Sequence, residues 1–467
     1  MANLENLLQQ AGADPVKLVR ASKWHTKGAR QNEALRLIPQ IPYEFSTWPR
    51  EMRAWRETVA LLDQTHHMYG VFIKGRDALK LLSHLACNKL QNSTPNRAFQ
   101  ILCCNEAGFL IGDGILFHLA DNEFSVYGAP FVPNWIRYQA ERSTLDVQVI
   151  PDYPSPVYAN GHANTRPDCR YQIQGPNAGK LIEKINGGPI GDVKFFHMTE
   201  MNIAGQKVRA LRHGMAGTPG LEVWGRWEHR DAIRDAILEA GEEFGIVKVG
   251  SAAYLCSVTE SGWIAGILPA IFSPGMKAYR EWLEEIEPEA QLSIVGSYYS
   301  DSIEDYYRTP YGLGYGRMVN LEHDFIGREA LLKVDGPKER KKVTLLWNVG
   351  DACRVFAAML QPNAKAVRHL QLPCSDDKMA MTYDRLTVGD KLVGVGYSTG
   401  LSANESSLLT LATVDQDVPL GSEVVLHWAE AGGGYGNGQV QPTKPIEVRA
   451  IVSPAPYSVV ARSEYRK

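Results

Sequence analysis

The sequence predicts an α+β protein of several packed domains, and three observations carry that reading. The order strand, turn, helix occurs twice, at 61–83 and at 171–188. Residues 108–128 alternate apolar and polar side chains about a short turn, the pattern of an antiparallel hairpin. After the charged run 333–342 the chain breaks into short strand-like pieces separated by turns, which predicts a β-rich closing domain. At 467 residues the chain also exceeds the roughly 250 to 300 residues at which single cores stop growing. Two or three domains are therefore expected.

In LLDQTHHMYGVFIKGRDALKLLS, 61–83, the apolar run gives a strand and Gly75-Arg76-Asp77 a turn, and Asp77 suits the positive end of the helix that follows. In GFLIGDGILFHLADNEFSVYG, 108–128, Asp121-Asn122 is the turn of the hairpin. YQIQGPNAGKLIEKINGG, 171–188, runs strand, Gly-Pro turn, helix, and ends in two glycines that can supply a left-handed cap. Ala232, Ile233, Ala236, Ile237 and Ala240 recur at helical spacing before Gly245, which predicts a helix covering the sheet of this second unit. KVTLLW, KLVGVGYSTG, SEVVLHW and PIEVRAIV are the strands of the last domain. GGGYGNG, 432–438, lacks the Lys-Ser/Thr and following helix of a phosphate loop, and GVG, 394–396, lies among strands; both read as hairpin turns.

Composition narrows the function. The 49 Lys plus Arg against 52 Asp plus Glu give a net charge of -3 and no basic stripe, so nucleic acid is not expected as a partner. The acidic residues Glu5 and Asp14 stand where a secretory peptide needs a basic start and an apolar run, and no stretch of about 18 apolar residues exists to span a bilayer. No membrane partner and a cytoplasmic location are expected, and the sequence assigns no oligomeric state. Seven cysteines without CxxC spacing suggest neither a disulfide framework nor a metal site.

Three places concentrate chemistry. Asp63-Gln64-Thr65-His66-His67 heads a strand, where adjacent histidines face opposite ways and one at most reaches a given pocket. Gly112-Asp113-Gly114 sets a carboxylate between glycines, either tying down a bulge or meeting a ligand. GMAGTPGLEVWG, 214–225, places Glu222 in an apolar frame, facing solvent or a pocket, and VGSAAYLCSVTESGWI, 249–264, surrounds Tyr254 with small residues and ends near Trp263.

These segments, in this order, resemble the folate-binding family of the glycine-cleavage T-protein, through the 63–68 segment, the Asp113 hairpin, IQGP at 173–176, LEVWG at 221–225 and DFIGREAL at 324–331. QTHHM, LRHGMAGTPGLEVWG, VGSAAYLCSVTESGWI, MKAYREWL, IEDYY and VSPAPYSVVARSEY are similar to its branch of tetrahydrofolate-dependent vanillate and syringate O-demethylases. The resemblance implies a three-domain cloverleaf around a central folate funnel: residues 1–65 with 166–255, residues 66–165 with 256–335, and a C-terminal β-barrel over 336–467. It implies tetrahydrofolate as cofactor, held by Glu222, Phe195, Trp263 and Asp113, since a carboxylate can accept two parallel hydrogen bonds from an aminopyrimidine. It implies a methoxylated aromatic acid as substrate, with Tyr254 as proton donor to the ether oxygen and His67 and Gln64 lining the aromatic pocket. Vanillate-type members carry an arginine where this chain has Ala129, and the space so freed points to syringate, with vanillate and 3-O-methylgallate also open. A corrinoid route would want an Asp-x-His-x-x-Gly loop, which the sequence lacks, and no His and carboxylate cluster has the spacing of a metal site. An aminomethyl- or N-methyl transferase and a non-catalytic folate-binding module are the alternatives.

Overall fold

A computed structural model describes residues 3–21, 40–155, 166–361, 366–374, 380–430 and 443–463; the GGGYGNG turn lies outside them. A six-stranded sheet runs in the order Ile246–Val249, Val59–Asp63, Asp168–Gln174, Gly220–Arg226, Gln206–Leu211, Met198–Ile203. Only its first pair is parallel. Because strand side chains alternate, Val59, Leu61, Cys169, Tyr171, Ile173, Leu221 and Val223 share one face. They are buried under the helices Ala178–Asn186 and Arg230–Gly241 through Leu181, Ile182, Ile233 and Ile237. Both predicted helices form where their periodicity places them, although Ala232 faces outward, and Gly187 caps the first in the left-handed conformation (φ 76°).

An antiparallel five-stranded sheet, Ala98–Cys104, Leu110–Ala120, Glu123–Gly128, Tyr69–Lys74, Gln148–Asp152, packs against the helices Ala78–Leu85 and Phe131–Arg142. The predicted hairpin is its centre, with Ala120 paired to Glu123 and Asn122 at φ 60°. Leu4, Leu8, Val16 and Val19 of the helices Leu4–Gln10 and Pro15–Ala21 join this core. The first helices thus sit with the second unit, not with the six-stranded sheet to which the 1–65 boundary assigns them. Burial explains the choice, since each such side chain contributes about 1.5 to 3 kcal/mol. The last part is a closed barrel of six strands, Lys341–Trp347, Ser407–Val414, Lys391–Ser402, Asp384–Val388, Glu423–Trp428 and Ile446–Ser453.

Three further sequence readings change. The strand expected over the start of 61–83 is two strands in different sheets, with residues 64–68 bridging them, so the two histidines lie in a turn. Asp77 stands at the helix start, but its carboxylate accepts from the Asp146 amide at 2.9 Å rather than capping the helix. GVG is not a turn: Gly394 and Gly396 lie inside the strand Lys391–Ser402, where a Cβ on Gly394 would stand 2.4 Å from the Thr413 carbonyl. Close backbone approach, rather than chain reversal, requires that glycine.

Candidate functional site

The face of the six-stranded sheet away from its helices carries polar side chains. Arg170, Gln172 and Gln174 alternate with the apolar set, Glu222 pairs with Gln172 in register, and Gln64 extends the neighbouring strand. All five are buried, at 0 to 3% exposure. A buried polar face is costly unless its groups find partners, and the partners map the site. Arg170 Nη1 donates to Glu222 Oε1 at 2.8 Å, while the guanidinium lies 3.7 Å from the Tyr127 ring centroid and 5.0 and 5.2 Å from those of Phe117 and Trp224. Tyr127 and Phe117 belong to the five-stranded sheet, so this box joins the two units. No other hydrogen bond reaches the Glu222 carboxylate among the described residues, which leaves one oxygen open to a ligand N–H.

Tyr254 enters from the helix Ser251–Ser261 and is 5% exposed. Its hydroxyl lies 3.0 Å from His67 Nε2 and 3.0 Å from Met215 Sδ, and Gln64 Nε2 approaches it at 3.5 Å. The His67 and Tyr254 rings meet edge to face, 5.1 Å apart. Gln64 Nε2 also donates to Gln172 Oε1 at 3.0 Å, and Gln172 in turn donates to the His213 carbonyl at 2.9 Å. Burial pushes Tyr254 above its ordinary acidity range, against the opposing pull of Gln64, so the hydroxyl keeps its proton at neutral pH. Burial, then the charges of Arg166 and His66, hold His67 down at about 3, so its imidazole is neutral. Gln64 Oε1 and His67 Nδ1 are buried with no partner among the described residues, an acceptor and a ring nitrogen available to a bound molecule. His66 points elsewhere, with Nδ1 2.8 Å from the Ser155 hydroxyl. The two histidines diverge as expected, though because both lie in a tight turn and not on a strand.

A second cluster forms on the five-stranded sheet. Asp113 Oδ2 accepts from Gln100 Nε2 at 2.6 Å, Trp263 Nε1 at 3.0 Å and the Tyr315 hydroxyl at 3.3 Å. Burial raises its pKa despite these three donors. Asp113 and Trp263 are thus bonded to each other. Phe195 and Ala129 sit at the margins: the Phe195 ring packs 4.8 Å from Phe196, which packs against His213, and Ala129 follows Gly128, which pairs with Gly114 beside Asp113. Gln172, Arg170, Arg166, Gln100, Tyr315 and Met215 escaped the sequence reading. The signal for the first two was RYQIQ, an alternation that normally marks a solvated face and here marks a buried one.

The helix carrying Tyr254 is fixed at its far end. Glu260 accepts from Trp55 Nε1 at 2.9 Å, from Asn404 Nδ2 at 3.0 and 3.1 Å and from the Ser402 hydroxyl. Ser402 ends a barrel strand, and a Cβ on its neighbour Gly400 would stand 3.2 Å from Thr259 Oγ1 of this helix.

Two α+β units and a closed barrel meeting at buried polar clusters define the aminomethyltransferase fold class: the structure matches glycine cleavage system aminomethyltransferase T from Bartonella henselae with a TM-score of 0.59 and 16% identity, over 90% of this chain and 91% of that one. Residues 21–265 match the GCVT N-terminal domain family, and the chain belongs to that family. It is 38% identical to the syringate O-demethylase of Sphingobium sp. over 431 residues, 92% of each chain. It is 29% identical to the sesamin methylene transferase of Sinomonas sp. over 339 residues, 68% of each.

Proposed function

We propose that the protein is a cytoplasmic aryl ether O-demethylase that moves the methyl group of a methoxylated aromatic acid, syringate above all, to tetrahydrofolate. The observation that carries the reading is the buried Tyr254 hydroxyl, 3.0 Å from His67 Nε2, in a pocket where Gln64 Oε1 and His67 Nδ1 find no partner among the described residues. Similarity to a syringate O-demethylase over 92% of the chain supports it.

The cofactor suits the residues present. Glu222 has an open carboxylate oxygen for an aminopyrimidine edge, and Trp263, Phe195 and Asp113 would border the ring system. Tetrahydrofolate, when bound, supplies the nitrogen nucleophile that takes the methyl group. Tyr254 would give its proton to the departing ether oxygen as the methyl–oxygen bond breaks, and the proton released from the methylated nitrogen would restore the tyrosine hydroxyl. A tyrosine and a phenol share reference acidities near about 10, and the burial that raises Tyr254 would raise a phenol leaving in the same pocket alike, so the transfer stays nearly balanced, and such acid catalysis contributes roughly 10² to 10⁴ in rate. Gln64 Oε1 and His67 Nδ1 orient the aromatic acid, and the buried surroundings exclude water while holding the reactants in line. No helix among the described residues is long and apolar enough to cross a membrane. The test is incubation with tetrahydrofolate and a panel of methoxybenzoates. Formation of 5-methyltetrahydrofolate and the matching phenol is expected, and folate binding without turnover of any methoxyarene overturns the reading.

A further inference from the structure

Near the site, one buried and multiply bonded side chain that the proposed chemistry does not use is Arg166, which is 2% exposed. Its Nη1 donates to the Thr65 carbonyl at 2.7 Å, and its Nη2 donates to the Met68 carbonyl at 3.0 Å and to Asp152 Oδ2 at 2.8 Å. The two carbonyls flank His66 and His67, so one planar guanidinium spans the turn that carries both imidazoles. Asp152 is itself fixed by the Tyr127 hydroxyl at 3.0 Å, and the Ser155 amide donates to the His66 carbonyl at 3.0 Å.

We propose that Arg166 is a positioning residue for His67: by clamping the carbonyls on either side of the turn, it sets the direction from which His67 Nε2 meets the Tyr254 hydroxyl. The catalytic meaning of this rests on the demethylase reading; the geometry does not. Arginine suits the task because its rigid fork serves several acceptors at fixed angles, whereas a lysine ammonium is a single point of charge. Its charge also disfavours an imidazolium, second to burial among the causes that hold His67 neutral. The ionisable groups that act on the His67 and Tyr254 pair are Arg166 and His66 about the imidazole and Glu222 and Asp63 about the phenol.

The test compares Arg166→Lys and Arg166→Gln in the full chain. In the ligand-free protein with ¹⁵N-labelled histidine, the His67 signal is the one lost in His67→Asn. Arg166→Gln is expected to raise the midpoint of the His67 titration by at least about 1 in pH, as loss of a nearby like charge does. Arg166→Lys is expected to lower kcat by roughly tenfold to a hundredfold through misplacement, with little change in KM. That loss is expected to vanish when Arg166→Lys is combined with His67→Ala. If Arg166→Gln does not fold, the double mutant with Arg166→Lys decides. An unmoved His67 titration, or kcat losses that multiply in the double mutant, overturns the proposal. Absence of turnover in the parent would instead remove the demethylase reading, and the titration would still judge Arg166.

Discussion

Replacing Tyr254 by Phe removes one oxygen from a site whose every other contact should persist. The ring is 5% exposed and packed edge to face on His67. The lost hydroxyl leaves His67 Nε2 without its 3.0 Å partner, a buried polar atom whose orphaning costs about 1 to 3 kcal/mol of stability. The larger effect is on rate. Without a donor the aryl oxygen must leave as a bare phenoxide, and a loss of about 10² to 10⁴ corresponds to roughly 3 to 5 kcal/mol of barrier. Single-turnover formation of 5-methyltetrahydrofolate, with both ligand affinities measured by calorimetry, isolates that step. The deficit should shrink for methoxyarenes whose phenols are more acidic, since a better leaving group needs less help from a proton. In the parent, the rate should show no loss from tyrosine ionisation up to about pH 10, because burial lifts Tyr254 above its usual value. A near-normal rate in the variant, or an equal deficit for every leaving group, refutes Tyr254 as the acid.

Glu222→Ala should weaken tetrahydrofolate binding by roughly 1.5 to 3 kcal/mol while sparing aromatic binding, because a charged hydrogen-bond partner is lost; unchanged folate affinity in calorimetry takes Glu222 out of the site. Ala129→Arg should reverse a preference for syringate over vanillate, with a clash worth about 1 to 3 kcal/mol, roughly fivefold to more than a hundredfold in kcat/KM; equal specificity constants for the two acids in the parent, unchanged by the arginine, sink the proposal. Glu289 is fully buried, accepts from the Tyr279 hydroxyl at 2.7 Å and Asn134 at 3.2 Å, and burial lifts it to about 8. Because the folded state holds that proton more tightly than the unfolded chain, the stability it adds is complete below the ordinary carboxyl range and is lost as pH rises toward about 8. Glu289→Gln should flatten the fall in melting temperature across that window, worth on the order of a few kcal/mol; an unchanged slope means the acid is ionised throughout.

Much of the fold was legible because periodicity reports burial on one side of an element. The hairpin about Asn122, the helix ending at Gly187 and the barrel strands all alternate or repeat as their burial demands. The break between Asp63 and Tyr69 was not legible. Its flanks are apolar on both sides, and only tertiary pairing reveals that they enter different sheets. Tyr254, His67 and Gln64 were singled out, and the structure brings them within hydrogen-bonding reach. Arg170 and Gln172 were not, because polar alternation on a strand usually signals water. The sequence does not announce that a second sheet covers that face. The reach of Arg166 back to Thr65 and Met68 spans about a hundred positions, a contact no local pattern encodes.

The anchoring of Glu260 gives the C-terminal barrel a part in a reaction to which it lends no proposed reacting group. Tyr254 and Glu260 are six positions apart on one helix, about 9 Å along its axis, so whatever moves one end moves the other. Holding Glu260 through Ser402 and Asn404 makes the barrel the gauge that sets how deep the phenol reaches. A fragment trimmed to the two α+β units would keep the residues assigned to chemistry and lose their depth setting. Laboratory evolution toward bulkier ethers should therefore gather substitutions around 400–405, far from the aromatic ring, as readily as in the pocket itself.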